Sequence, residues 1–384
     1  MRIRTLLIIV CLLVAVGCRR TSTPPPATAP SNAASPSPEL SHSQGGNTTA
    51  AQTKYFKGSI GSSLDLQMKL VRTGDQLAGS YFYQKIGTRI DVRGNVGADG
   101  TLTLEEFDKE GKQTGVFKGL WQVDASDGLT TLAGNWSKPP NEKGSDKKTA
   151  FSLHEEPIAF TGDVELVSKQ IKENNKKLMY EVSAQYPEFK GGNNPNFEKF
   201  NQAARALVTT KVAGFKKDMA PAEGEEPRPE NSMASNLNIG YTLMLGQDDL
   251  VSVKFDVGSY YQGAAHPNSY SDVINFDLKN GKQLKLSDLF KPGSKYLPAI
   301  ADYSIADLKK QGKEKGLIDE EIQNGAAPLA KNYQSWIITK KGLGITFDAY
   351  QVGPYAAGPQ FVMVPYSALK DVVNPEGPIA QLAK

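Results

Sequence analysis

A small all-β barrel followed by an α+β module is the fold class the sequence predicts, and three observations predict it. Between about residues 54 and 157, short runs alternate apolar and polar residues and are separated by hairpin-length turn signals. No helical period competes with that alternation. Beyond residue 158, strand-like runs are interrupted by two amphipathic helical stretches. At 39% hydrophobic and 9% aromatic residues, the 384-residue chain has the apolar content to bury cores in two or three domains.

The first element is a leader. Met1–Arg4 carries two positive charges, Leu6–Val16 is almost wholly apolar, and Gly17-Cys18 follows. The run is short for a permanent span of ~30 Å of hydrocarbon, so residues 1–17 read as a signal peptide. The segment VAVGC resembles the lipobox of bacterial lipoproteins, although Ala15 stands where leucine is commoner. That resemblance implies that Cys18 is lipidated and becomes the new N-terminus. An ordinary secretory signal beside a coincidental cysteine is the alternative. Arg19, not Asp, follows Cys18, which under the family's retention rule implies the outer membrane in a host with two membranes. The second element, residues 18–53, is rich in Pro, Ser, Thr and Ala, with Leu40 its single large aliphatic side chain. It reads as a flexible tether.

Residues 54–157 form the predicted barrel. Leu64, Leu66, Met68 and Leu70 alternate with Asp65, Gln67 and Lys69, and turn residues recur at Gly74-Asp75, Asp99-Gly100, Glu110-Gly111 and Asp127-Gly128. Seven or eight short strands joined this way indicate an up-and-down meander, most simply eight strands closed into a barrel. A weak echo, Leu77-Ala-Gly-Ser-Tyr81 against Leu132-Ala-Gly-Asn-Trp136, pairs glycine with a large ring. That suits a tightly coiled barrel whose backbones approach closely. Tyr81, Tyr83, Trp121 and Trp136 have two readings, a filled core or a carbohydrate-stacking face, and the small size of the barrel favours the core.

Residues 158–384 form the predicted α+β module, with an antiparallel sheet and helices. Strands are expected at Asp163–Lys172 and Leu178–Tyr186. After the Gly191–Pro195 turn, Asn196 is the expected cap of a helix whose stripe runs Phe197, Phe200, Ala204, Leu207, Val208, Val212 and Phe215. Met219–Ser235 reads as a polar surface loop. Strands resume at Leu237–Leu245, Val251–Val257 and Val273–Leu278, the last pairing with Gln283–Leu286 across Asn280-Gly281. A helix follows at Tyr296–Lys310. Strands at Trp336–Thr339, Leu343–Phe347 and Phe361–Val364 come next, then a short helix capped by Ser367.

Three pieces of this module carry a family resemblance. They are Tyr186-Pro187 through the helix containing Asn201; Gly258–Tyr270 (GSYYQGAAHPNSY) with Asn275–Gly281 and Leu286–Phe290; and Phe347–Gly358 (FDAYQVGPYAAG) with Val364-Pro-Tyr366. Together they resemble the accessory domains of unknown function in RsiV-type lysozyme receptors and PdaC-type polysaccharide deacetylases. The chain departs from both: it shows neither a cytoplasmic sigma-binding segment with a permanent membrane helix nor the deacetylase catalytic domain. What the resemblance implies is recognition of a cell-wall polymer or of a protein such as lysozyme.

Composition narrows the chemistry. With 44 Lys+Arg against 41 Asp+Glu the formal charge is +3, and losing Arg2 and Arg4 with a leader leaves about +1. That balance argues against an electrostatic nucleic-acid binder. Both cysteines, Cys11 and Cys18, fall in the leader region, so no disulfide framework or Cys-ligated zinc is expected in the body. No HExxH, GxSxG, Walker A or strand–GxGxxG motif is present. No cofactor and no metal site are expected, and no catalytic residue is assigned. The candidate binding residues are Tyr260, Tyr261, His266, Asn268 and Tyr270 in one loop, and Tyr350 and Tyr355 in another. Tyrosine and asparagine loops of this kind make adaptable contact surfaces. In the other reading their rings pack on the sheet and His266 satisfies loop carbonyls. The sequence therefore predicts a lipid-anchored, non-enzymatic binding protein of the bacterial cell envelope. Its alternatives are an envelope carbohydrate hydrolase using His266 and a purely structural spacer. Oligomeric state is not legible.

Overall fold

The computed structural model describes residues 51–384, apart from 85, 87, 126–127, 141 and 221–232. The leader, Cys18, most of the tether and most of the polar loop predicted at Met219–Ser235 lie outside the described residues. Among the described residues the strands form three sheets: a closed eight-stranded barrel, a seven-stranded sheet and a three-stranded sheet.

The barrel strands are β1 (Gln52–Ile60), β2 (Leu64–Thr73), β3 (Gln76–Tyr83), β4 (Arg89–Val96), β5 (Thr101–Phe107), β6 (Gln113–Val123), β7 (Thr130–Ser137) and β8 (Thr149–Glu156). Each pairs antiparallel with its sequence neighbour, and β1 closes on β8 with Tyr55 opposite Glu156. The period-2 pattern decides which residues point inward. Leu66, Met68 and Leu70 are buried with Phe56, Leu77, Leu102, Phe117 and Leu153, whereas Leu64 at the strand's start is exposed. Gly119 and Gly134 lie directly opposite each other, and a Cβ on Gly134 would meet the Gly119 Cα at 2.5 Å. This is the close approach expected of the glycine–aromatic echo.

The second region begins with β9 (Ile158–Ala159), β10 (Val164–Asn175) and β11 (Tyr180–Gly191). Helix α1 (Phe197–Asp218) follows, then β12 (Ser235–Gln247), β13 (Leu250–Tyr260), β14 (Asn268–Asp277) and β15 (Lys282–Gln283). The sheet is largely antiparallel in the order β10-β11-β12-β13-β14-β15. The exceptions are parallel: β11 with β12, because α1 carries the chain back to the start, and β9 with β12. The apolar stripe of α1 packs on this sheet. Asn196 begins α1 but makes no side-chain cap; its amide instead donates to the Leu278 carbonyl at 2.8 Å, tying the helix start to the end of β14. Asn201 is buried and pairs with both backbone groups of Phe189, N–H and C=O, each at 2.8 Å. This amide clamp holds α1 to β11, which runs on through Pro187 and Phe189 as strand.

The last region contains α2 (Tyr296–Lys315), α3 (Asp319–Gly325), β16 (Trp336–Ile338), β17 (Gly342–Phe347), β18 (Gln360–Pro365) and α4 (Tyr366–Leu369). Helix α2 runs five residues past its expected end, to Lys315, where Gly316 with φ of 69° provides the left-handed stop. Helix α3 is an element the sequence reading does not anticipate. The predicted strand at Gln283–Leu286 is only the two residues of β15, because Leu286–Leu289 winds into a 3₁₀ turn that buries Leu289. The final short helix starts at Tyr366 after Pro365, not from a Ser367 cap. These elements enclose their own core, including Leu308, Trp336, Ile345, Phe347 and Leu369. A buried polar joint fastens it to the larger sheet: Ser252 Oγ donates to Asn275 Oδ1 (2.7 Å), and Asn275 Nδ2 donates to the Trp336 carbonyl (2.7 Å).

The barrel and the larger sheet belong to one compact unit. Gln67, on the outer face of β2, is nonetheless buried. Its amide donates to the Tyr241 hydroxyl (3.3 Å) and its carbonyl oxygen accepts from Ser168 N (3.2 Å). Tyr55 donates to the Val164 carbonyl, and Lys69 pairs with Asp163.

Candidate functional site

The β13–β14 loop and the segment after β17 meet at one place on the surface. His266 stacks on Tyr355, with ring centroids 4.0 Å apart and planes inclined by 28°. The Tyr350 ring lies 5.4 Å from Tyr355 and 6.3 Å from His266. Hydrogen bonds fix the trio. The Tyr355 hydroxyl donates to the Pro267 carbonyl at 2.7 Å, and His266 Nδ1 lies 2.9 Å from the same oxygen. A carbonyl can only accept, so Nδ1 carries a proton; in the neutral ring Nε2 then accepts from the Tyr350 hydroxyl, 3.2 Å away.

The backbone beneath Tyr350 is unusual. Asp348–Gln351 is a tight turn closed by Gln351 N donating to the Asp348 carbonyl at 3.0 Å. Tyr350 occupies its third position with φ of 70°, where glycine or asparagine is the ordinary occupant. Neighbouring contacts hold this conformation. The Gln351 side-chain amide donates to the carbonyls of Gly325 (3.1 Å) and Asn332 (2.8 Å), and Asp348 Oδ1 accepts from Ser271 N at 3.0 Å. Burial raises the Asp348 carboxyl above its usual range, partly countered by that Ser271 bond. The ring these contacts support is 65% exposed.

The other candidate residues divide. Asn268 is exposed at the start of β14, on the same loop. Tyr260 ends β13, half-buried, and pairs in register with Asn236. Tyr261 turns away from the cluster: its ring packs 5.6 Å from Phe215 and its hydroxyl donates to Asp218 at the end of α1. Tyr270 also faces α1, where its hydroxyl accepts from Lys211 Nζ at 3.1 Å and Lys211 pairs with Asp272. The two loops therefore converge through His266, Tyr350 and Tyr355, while Tyr261 and Tyr270 brace the helix. The signal missed in the sequence is the turn-forming Asp348 and Gln351, whose roles depend on distant partners.

The barrel aromatics take the core reading. Tyr81 and Trp121 are buried, and Glu106 accepts from the Tyr81 hydroxyl (2.7 Å), Trp136 Nε1 (2.9 Å) and Thr114 Oγ1 (2.7 Å). His154 is exposed on β8, between Thr131 and Ser152. Among the described residues, no carboxylate is a hydrogen-bond partner of His266. Among the described residues, no group of three His, Cys, Asp or Glu side chains is placed to hold a metal ion. No described helix is long and apolar enough to cross a membrane.

The aromatic contact joins two recognisable parts. Residues 172–269 match the family described as deacetylase PdaC, and residues 287–367 match the family described as a protein of unknown function, DUF3298. A PdaC-type domain and a DUF3298 domain are present in the α+β module. His266 belongs to the first and Tyr350 and Tyr355 to the second. The chain is 26% identical over 213 residues to the peptidoglycan-N-acetylmuramic acid deacetylase PdaC of Bacillus subtilis, which covers 56% of this chain and 42% of that protein. It is 27% identical over 111 residues to the immunogenic protein MPT64 of Mycobacterium tuberculosis, covering 29% and 47% respectively. The chain thus spans less than half the length of these curated relatives. Crystal structures of DUF3298-family proteins are similar at low level. That from Bacteroides fragilis gives a TM-score of 0.41 at 18% identity, covering 58% of this chain and 98% of that one. That from Pseudomonas aeruginosa gives 0.38 at 17%, covering 56% and 94%.

Proposed function

We propose that this chain is a non-enzymatic cell-envelope protein, anchored through a lipid on Cys18, that binds the glycan of peptidoglycan on the His266–Tyr350–Tyr355 surface. The observation that carries this reading is Tyr350, a bulky residue at a turn position suited to glycine, supported from three sides, with its ring turned out to solvent. A left-handed conformation costs a non-glycine residue of order 1–2 kcal/mol. An exposed ring gains little from packing, so the cost points to what the ring meets outside the protein. A pyranose presents a face of C–H bonds that lies well on an aromatic ring, and hydroxyls on its rim that suit the tyrosine hydroxyl and the Asn268 amide. Both nitrogens of His266 are occupied in holding the surface together, which supports binding over proton transfer. The name of the PdaC relative supplies the substrate class, peptidoglycan.

Co-sedimentation with purified peptidoglycan sacculi tests the reading. The full chain is expected to pellet with sacculi, before and after the stem peptides are removed, and Tyr350→Ala is expected to lose at least tenfold in affinity. Failure to pellet with either preparation, or retention of lysozyme but not of sacculi, would overturn it.

A further inference from the structure

A buried carboxyl without a partner lines a cleft elsewhere, where the three sheets meet. The cleft has a volume of about 550 Å³, within the ~300–1,000 Å³ range of small-ligand sites. The barrel and its exit contribute Lys57, Glu156 and Pro157. The larger sheet contributes Tyr241–Met244 of β12, and the three-stranded sheet contributes Met363. No part of the His266–Tyr350–Tyr355 surface lines it.

Much of the wall is apolar. Pro157, Leu243, Met244 and Met363 line it, and the two methionines supply soft, adaptable surface. Glu156, at the end of β8, is the exception. It is only 8% exposed, yet among the described residues its side chain has no hydrogen-bond partner. The polar groups beside it are engaged. Glu155 accepts from Lys54 Nζ at 2.6 Å and from Thr130 N at 2.8 Å. Tyr55 donates to the Val164 carbonyl, and the Tyr241 hydroxyl accepts from Gln67. Folded proteins seldom leave a buried polar group unpaired, because its lost hydration is then not replaced. Glu156 borders the cleft, so a molecule in the cleft can supply the missing partner.

The surroundings select the charge of that molecule. Pairing of β1 with β8 sets Tyr55 opposite Glu156 and Lys57 opposite His154, so Lys57 is a diagonal neighbour of Glu156 on the same outward face. The Lys57 ammonium lies 4.0 Å from the centre of the Tyr241 ring, also at the cleft. A cationic head group at Glu156 would lie close to that ammonium, and an anionic one would lie against the carboxyl itself. An uncharged carbonyl incurs neither repulsion and can accept the Glu156 O–H. Burial disfavours the ionised carboxyl and so retains that proton below about pH 7.

We propose that this cleft binds an uncharged single-chain amphiphile, with its carbonyl head accepting a hydrogen bond from Glu156 and its chain along Leu243, Met244 and Met363. The site is independent of the glycan surface, so either can fail without the other.

Three probes with matched ten-carbon chains, below their micelle and solubility limits, test it on the full chain by calorimetry at pH 6. They are N,N-dimethyldecanamide, whose head can only accept a hydrogen bond, decanoate and decyltrimethylammonium. The amide is expected to bind saturably at one site, about tenfold or more tighter than either ion. Glu156→Leu, which removes the donor and leaves an apolar side chain, is expected to lose about tenfold in amide affinity while its thermal midpoint holds or rises. Glu156→Gln, whose side-chain amide can still donate, is expected to stay within a few-fold of wild type. Met244→Trp, which fills the trough from a half-buried position, is expected to weaken all three probes. Either ion binding as tightly as the amide, or no saturable binding of the amide, would overturn the proposal. So would wild-type amide affinity in Glu156→Leu, or saturable capture of a muropeptide in the amide's place.

Discussion

Tyr350 and Glu156 show how single residues are held in costly states by what surrounds them. Burial at the junction of β8 with the larger sheet pushes the Glu156 carboxyl up to about 7, and Lys57 only partly counters this. In the unfolded chain the same group ionises near its ordinary value of about 4.5. The folded form therefore holds a proton that the unfolded chain has released, and stability falls as pH rises from about 4.5 to about 7. Above that window the cost is complete, up to roughly 3 kcal/mol, since each pH unit between the two values is worth ~1.4 kcal/mol. Urea denaturation of wild type and Glu156→Gln at pH 5 and pH 7.5 checks this. The fall in wild-type stability is expected to be smaller by about 1–3 kcal/mol in the variant, and identical pH dependence would refute the burial explanation. Neither feature is legible in the sequence. Tyr350 stands out there as a loop aromatic but carries no sign of its φ. Glu156 reads as one acid in an exposed-looking pair, because the surface covering it comes from β12, far along the chain.

Elements are more legible than residues because they follow local rules. Alternation locates the barrel strands, and the stripe from Phe197 to Phe215 locates α1. The sequence misleads where a local signal meets a tertiary competitor. Asn196 has the chemistry of a cap, but its amide is drawn to the Leu278 carbonyl. Leu286 continues a strand pattern, but the chain turns there to bury Leu289. The glycine–aromatic echo is legible because it states a steric need. A Cβ at Gly134 would lie 2.2 Å from the Lys118 carbonyl oxygen, whereas one at Gly240 of β12 meets nothing within 4 Å. Gly134→Ala is accordingly expected to cost about 2 kcal/mol or more through forced separation of β6 and β7, and Gly240→Ala less than about 0.5 kcal/mol. Chemical denaturation of the two variants makes the comparison, and equal stabilities would remove the close-approach explanation.

At the scale of the whole molecule, the order of a barrel and an α+β module can be read from local pattern, but their union cannot. Gln67 reads as the outward-facing partner of buried leucines, yet it joins β2 to β10 and β12 through Ser168 and Tyr241. The joint between PdaC-type and DUF3298 parts, through Asn275 and Ser252, is likewise invisible locally, since each partner is an ordinary polar strand residue. The second joint ties the sheet that carries the β13–β14 loop to the sheet that carries the segment after β17. The most direct test of the aromatic surface separates binding from stability at Tyr350. Replacing it with glycine relieves the left-handed conformation, and replacing it with phenylalanine keeps the ring. Affinity for a soluble peptidoglycan glycan fragment, measured beside urea stability, is predicted to fall at least tenfold, about 1.4 kcal/mol, in Tyr350→Gly while folding stability holds or rises. Tyr350→Phe is predicted to stay within a few-fold of wild type. Wild-type affinity in Tyr350→Gly would contradict a glycan-binding role for this surface.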